Sequence, residues 1–381
     1  FHCVSNQPVD INKNKEIPKK LIQNFINYSS NKSQYLSVDK EKELIETVSV
    51  LLTKGKGLLA ADESISSMSK YLQLIDLENT EENRRLYRQV LFRDAKNLST
   101  YVSGVVFLHE ALYQDDDNDK LFRDTLKEND ILCGIRVDKG LVSLAGTRDE
   151  KTTQGLDGLG ERCTQYYKEG VSFAKWRCAL KVGDGLPSSL AIRETTQVAA
   201  RYASICQQNR MVPIIELEVV VNGDDDLDRC EHVIEKILVA IYRALSEHHV
   251  FLEGTLLQLN MITAGVNCKK RYTPKDIAQT MIVVLRRTVP PAVPGVFFSS
   301  GNQLEEELLV SLNTINQIPD KKPWILTFSY GQAMQTSVLR IWAGKPGNIE
   351  LARNQLLSSV KAYSAASNGE YKNDGKDIID G

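Results

Sequence analysis

Phe-Ala-Lys-Trp-Arg-Cys, residues 173–178, and Ile-Ile-Glu-Leu-Glu, residues 214–218, decide the fold. Each is an apolar run of strand length that carries two charges two positions apart, Lys175 and Arg177 in the first, Glu216 and Glu218 in the second. Successive side chains point to opposite faces of a strand, so each charged pair shares one face. Charge inside an apolar strand is costly unless it is paired. These two strands are therefore expected to lie close together with their charges meeting. Arg136 and Asp138 near a third run, and Asp62-Glu63 at the end of a fourth, repeat the pattern.

Working outward, eight strand-like runs alternate with longer segments of helical period: Gly57–Ala61, Val102–Leu108, Cys133–Val137, Phe173–Lys181, Val212–Val220, Gly254–Leu259, Gly295–Phe298 and Trp324–Phe328. Eight βα alternations predict an α/β protein, a (β/α)8 TIM barrel, spanning residues 35–366. A helix near Asp39–Leu52 is expected to cap or flank it. Residues 1–34 are rich in Asn, Lys, Ser and Gln and read as a polar extension, a candidate contact for a protein partner. Residues 367–381 read as a flexible tail.

The totals exclude several classes. The 381 residues carry a formal charge of −2 and no long apolar run, so neither nucleic acid nor a membrane is an expected partner. Seven separated cysteines give neither a zinc site nor a disulfide framework, and no cofactor is called for. Sequons at Asn27, Asn31 and Asn97 leave secretion after removal of a signal peptide as the alternative to a cytoplasmic protein.

In a barrel of this kind the functional site lies at the C-terminal ends of the strands. Asp62, Arg136, Lys175, Arg177, Glu216 and Glu218 would gather there, three acids against three bases. Mutual neutralisation in a polar barrel mouth is the plain structural account. A cluster drawn from four strands instead suits an enzyme that places a general acid and base beside a perturbed amine.

Leu-Leu-Ala-Ala-Asp-Glu-Ser (58–64), Glu-Asn-Thr-Glu-Glu-Asn-Arg-Arg (78–85), Thr-Thr-Gln-Gly-Leu-Asp-Gly-Leu (152–159), Phe-Ala-Lys-Trp-Arg-Cys (173–178), Leu-Glu-Gly-Thr-Leu-Leu (252–257) and Leu-Thr-Phe-Ser-Tyr-Gly (326–331) resemble class I fructose-1,6-bisphosphate aldolase, in order along the chain. The resemblance implies acid/base and substrate-orienting roles for Asp62, Lys175, Arg177, Glu216 and Glu218. It implies substrate or phosphate contacts for Ser64, Ser67, Lys70, Ser300 and Gly301, and a homo-oligomer, in that family a tetramer. The departures are specific. Gln258 stands where the family has its Schiff-base lysine, Arg136 replaces an active-site lysine, and Gln332 and Tyr71 each replace a phosphate-binding arginine. An amide nitrogen cannot form an imine. The expectation is accordingly a catalytically silent barrel retained for binding, scaffolding or a structural role. The alternative is an active aldolase, or a lyase of altered chemistry with Lys175 as its amine.

Overall fold

The computed structural model describes residues 35–301 and 304–372. The polar extension 1–34 lies outside them, as do Cys3, Asn27 and Asn31. The eight strands are β1 (Gly57–Ala61), β2 (Val102–Phe107), β3 (Leu132–Arg136), β4 (Val171–Val182), β5 (Val212–Val221), β6 (Leu256–Asn260), β7 (Gly295–Ser299) and β8 (Ile325–Tyr330). They close into one barrel in chain order, every neighbouring pair parallel, with β8 beside β1. Helices fill the crossovers, as parallel pairing requires. The predicted (β/α)8 barrel is the observed fold.

The barrel interior is layered by the two-residue period of its strands. Leu58, Val106, Phe173, Ile214, Leu256 and Phe297 form an apolar floor, closed from below by Leu44, Val48 and Leu51 of the helix Val38–Leu51. Two residues further along β4, β5 and β6 come Lys175, Glu216 and Gln258, the next layer up. Register brings them together: Arg136 pairs with Lys175, Arg177 with Glu216, and Glu216 with Gln258. The polar layer thus sits on a sealed hydrophobic base.

Phe173 needs room that a glycine supplies. A Cβ on Gly134, its partner on β3, would lie 2.1 Å from Phe173 Cε2 and 2.3 Å from Cζ. Phe173 is fully buried and has nowhere to retreat. Gly134→Ala is expected to destabilise the protein by about 3 kcal/mol or more, at the upper end of overpacking costs. Urea unfolding followed by circular dichroism checks it, and a loss under about 0.5 kcal/mol would contradict the layered packing.

Two features differ from the sequence reading. A short hairpin, Leu141–Ser143 with Lys151–Thr153, follows β3 and ties back to the barrel through Thr153 Oγ1, which donates to the Arg177 carbonyl at 2.7 Å. The last helix runs Ile349–Ser367, taking in the first residue of the expected tail, and the chain makes further hydrogen bonds beyond it. Gln317 Nε2 donates to the Gly369 carbonyl at 2.9 Å, and the Tyr371 amide donates to Asn313 Oδ1 at 3.0 Å. Residues 373–381 lie outside the described chain.

Candidate active site

On β4, level with Arg136 at the C-terminal end of β3, Lys175 is buried, 4% exposed, and is the one buried lysine among the described residues. Its Nζ stands 2.8 Å from Asp62 Oδ2 and 3.3 Å from Glu216 Oε2. Burial works to lower its pKa, but the charges of Asp62 and Glu216 outweigh burial and hold the ammonium above the ordinary lysine range. Burial also pushes the Glu216 carboxyl up, against the pull of Lys175. A proton shared between an amine and a carboxylate of this kind can be moved by a modest change in surroundings.

Gln258 completes the floor of the site. It is 1% exposed, and its Nε2 donates to Glu216 Oε1 at 3.0 Å. The amide therefore fixes Glu216 from one side while Lys175 holds it from the other. Arg136 Nη1 donates to the Asp62 carbonyl at 2.8 Å, and its Nε lies 3.6 Å from Asp138 Oδ2. Arg177 Nε donates to Glu218 Oε2 at 2.6 Å, and a guanidinium Nη2 pairs with the same carboxylate.

The remaining predicted residues also fall at the strand C-termini. Ser64 caps the helix Ile65–Gln73 that follows β1, accepting from the Ser67 amide at 3.1 Å, and Lys70 and Tyr71 lie on that helix. Ser300 and Gly301 follow β7, with Gly301 in the left-handed region at φ +54 and its Cα face against Asn260. Gln332 opens the helix Gln332–Trp342 after β8.

Two contributors, Asn260 and Gln335, escaped the sequence reading, and Asp138, noted there only as part of the charge pattern, proves to be a backbone anchor. Asn260 clamps β5, accepting from the Val219 amide at 2.8 Å and donating to its carbonyl at 3.1 Å, which steadies the strand end carrying Glu218. The signal was an asparagine closing an apolar strand. Asp138 accepts from the Arg177 amide at 3.3 Å and from Gly140 at 3.0 Å. Gln335 Nε2 donates to the Ala60 carbonyl and, at 3.1 Å, to Glu63 Oε1, joining the ends of β1 and β8.

Buried lysine, flanking carboxylates and surrounding hydroxyl and amide donors at the mouth of a (β/α)8 barrel can be compared with known proteins. The family profile described as fructose-bisphosphate aldolase class-I matches residues 43–380. The chain belongs to the class I fructose-bisphosphate aldolase family. It is 54% identical over 342 residues to fructose-bisphosphate aldolase C of Pan troglodytes, covering 90% of this chain and 94% of that protein. Fructose-bisphosphate aldolase A of Salmo salar is 54% identical over 337 residues, 88% of this chain and 93% of that one. Among solved structures, fructose-bisphosphate aldolase from Plasmodium falciparum, in complex with TRAP and a small-molecule inhibitor, superposes with a TM-score of 0.87. That match has 48% identity and covers 89% of this chain and 98% of that one.

Likeness of this extent to proteins named as aldolases corrects the expectation of a catalytically silent barrel and favours its alternative, a working lyase of the aldolase family. The silent reading rested on the departures at positions 258, 136, 332 and 71, and it set the amine at Lys175 aside as an alternative. A buried amine remains in the site at Lys175, in contact with two carboxylates. Among the described residues no helix is long and apolar enough to cross a membrane, and no group of three His, Cys, Asp or Glu side chains could hold a metal ion.

Proposed function

We propose that the protein is an active aldolase-family lyase that cleaves a phosphorylated ketose by retro-aldol chemistry with Lys175 as its amine. The observation that carries the reading is the placement of Lys175, buried in the polar layer of the barrel, between Asp62 and Glu216. Gln258 lacks a nucleophilic nitrogen, so the amine of the covalent route falls to Lys175.

The chemistry balances with the residues present. The Lys175 ammonium passes a proton to Glu216 or Asp62, and the free amine adds to the ketone carbon to give a carbinolamine. That intermediate loses water, taking the carboxyl's proton onto the departing hydroxyl, and becomes an iminium. Glu216 or Glu218 then removes the proton from the hydroxyl β to the iminium carbon. The bond between the α and β carbons breaks, the β carbon leaves as an aldehyde, and the electron pair flows to the iminium to give an enamine. Protonation at the α carbon and addition of water release the second product and restore the amine. Arg136 and Asp138 hold the site's geometry. Ser64, Ser67, Lys70, Arg177, Ser300 and Gly301 hold the substrate, with Tyr71 and Gln332 at the positions that resemble arginine sites. Fructose 1,6-bisphosphate, the substrate in the names of the relatives, is the first ketose to test. A homo-oligomer, by resemblance a tetramer, and a cytoplasmic setting go with the same reading, and light scattering on purified protein would contradict the former by returning a monomer.

The test is release of triose phosphate from fructose 1,6-bisphosphate, followed between about pH 6 and pH 10. Lys175 must lose a proton to act, and its ion pairs hold that proton above the ordinary lysine range. The free-amine fraction, and with it the rate, is expected to rise with pH across this window. No release at any pH would sink the proposal, and a rate that falls steadily with rising pH would remove Lys175 as the amine.

A further inference from the structure

The cations of the mouth are distributed unlike those the resemblance leads one to expect. Tyr71 and Gln332 stand at two positions where it implies arginines, and Arg136 brings a guanidinium to a position where it implies a lysine. Positive charge is thus lost from the helices that follow β1 and β8, and a planar fork is gained in the strand layer itself.

That fork lies beside the amine. Arg136 and Lys175 are paired across β3 and β4, and both touch Asp62: Arg136 Nη1 donates to its carbonyl at 2.8 Å, and Lys175 Nζ stands 2.8 Å from its Oδ2. Lys175 reaches Glu216 from the β3 side, while Gln258 on β6 holds the other carboxylate oxygen. A carbonyl carbon joined to the Lys175 nitrogen is therefore set toward Arg136 and away from position 258. The other guanidinium of the layer, Arg177, is engaged by Glu218 through both Nε and Nη2. Arg136 keeps an open edge. Its Nε lies 3.6 Å from Asp138 Oδ2, its Nη2 makes no hydrogen bond among the described residues, and its side chain is 18% exposed.

An anion that completes this edge must sit close to the carbonyl carbon, because the amine and the fork are held by one residue, Asp62. A carboxylate bonded directly to that carbon fits, since its two oxygens match a guanidinium edge in parallel N–H···O bonds. Its single charge also suits the layer better than a phosphate dianion. Asp62, Glu216 and Glu218 balance Arg136, Lys175 and Arg177, Asp138 adds a fourth acid, and conversion of Lys175 to the free amine leaves the acids in excess.

We propose that this site also accepts 2-oxo acids, with Lys175 forming the imine and Arg136 holding the neighbouring carboxylate, and that it cleaves 4-hydroxy-2-oxo acids to pyruvate and an aldehyde. The proposal rests on Lys175 as the amine and gives that amine a second class of substrate. The amine adds to the oxo carbon and water leaves. Glu216 takes the proton of the hydroxyl β to the iminium carbon, the bond between the α and β carbons breaks, and the β carbon departs as the aldehyde. The electron pair passes to the iminium as an enamine, which is protonated by the carboxyl and hydrolysed to pyruvate and free amine.

Borohydride trapping at about pH 8 with pyruvate, dihydroxyacetone and dihydroxyacetone phosphate, with adducts mapped by mass spectrometry, tests it on the parent, Arg136→Lys and Arg136→Met. Release of pyruvate from 4-hydroxy-2-oxopentanoate is followed in parallel with lactate dehydrogenase. The parent is expected to carry a pyruvate adduct on the Lys175 peptide and to release pyruvate from the hydroxy acid. Half-maximal trapping should need about tenfold more pyruvate in Arg136→Lys, which keeps the charge but loses the planar fork, and about a hundredfold more in Arg136→Met. Trapping with dihydroxyacetone, which carries no anion, should change by less than about threefold. No pyruvate adduct, no cleavage of the hydroxy acid, or a pyruvate dependence that both variants leave within about twofold of the parent would overturn the proposal. An adduct with dihydroxyacetone phosphate but none with pyruvate would leave the phosphorylated-ketose reading standing, the reverse result would defeat that reading alone, and no adduct from any ketone would defeat both. If thermal melts show that Arg136→Met does not fold, Arg136→Lys decides.

Discussion

Replacing Lys175 with methionine is expected to abolish carbon–carbon cleavage, a loss on the order of 10⁴-fold or more, because the only amine of the covalent route is removed. The same change strands Asp62 and Glu216 without their shared cation, and breaking a buried pair from one side costs about 3–5 kcal/mol. Loss of activity alone would therefore be ambiguous. Lys175→Arg separates the two effects, since it keeps a positive charge between the carboxylates while its guanidinium stays protonated and non-nucleophilic. Lys175→Arg is expected to fold, to melt within a few degrees of the parent, and to be as inactive as the methionine variant. Substantial activity in Lys175→Arg, above about a hundredth of the parent rate, would place the chemistry elsewhere.

Introducing Gln258→Lys is expected to act in the opposite direction. The amide already lies 3.0 Å from Glu216 Oε1, so a lysine one atom longer reaches the same carboxylate. Two buried ammonium groups sharing Glu216 and Asp62 would disfavour one another's charged form, which lowers the pKa of the pair and frees amine near neutrality. Cleavage at about pH 7 should rise by on the order of tenfold, and its pH dependence should shift to lower pH. The substitution replaces a neutral side chain in a site where three acids balance three bases, so some stability is expected to be lost. Adding Gln332→Arg should improve the apparent affinity for a phosphorylated substrate by supplying a charge-assisted fork. A Gln258→Lys protein no faster than its parent at every pH would show that the amine is not what limits the rate.

The barrel was legible because its strands announce themselves twice, by apolar runs and by charges at even spacing. Observed and expected strands coincide within a few residues. No strand end is off by more than two residues, and at β6, expected from Gly254, Leu252–Gly254 form a short 3-10 turn and the strand begins at Leu256. The hairpin Leu141–Ser143 with Lys151–Thr153 was not foreseen, as three-residue strands carry too little alternation to show a period. The charged cluster was legible for the same reason that it is costly, since lysine or glutamate in an apolar strand must meet a partner.

What the sequence hid were contacts set by closure of the barrel. Gln335 and Glu63 are 272 positions apart, and neither breaks a local pattern, yet they meet where β8 returns to β1. Asn260 could be suspected from its place at a strand end, but its bidentate clamp on Val219 depends on the β5–β6 register. The functional reading went astray because the departures at Gln258, Arg136, Gln332 and Tyr71 were given more weight than the retained cluster around them. Lys175 was present in the same layer, and only the three-dimensional arrangement shows it held by both Asp62 and Glu216.

Borohydride reduction of the unmodified protein in the presence of dihydroxyacetone phosphate, with the adduct mapped by mass spectrometry, tests the central claim most directly. Reduction converts an imine into a stable secondary amine on the lysine that formed it. A stoichiometric adduct on the peptide containing Lys175, growing as pH rises and absent from Lys175→Arg, is the predicted result. An adduct on a different lysine, or none from a protein that still cleaves its substrate, would contradict it.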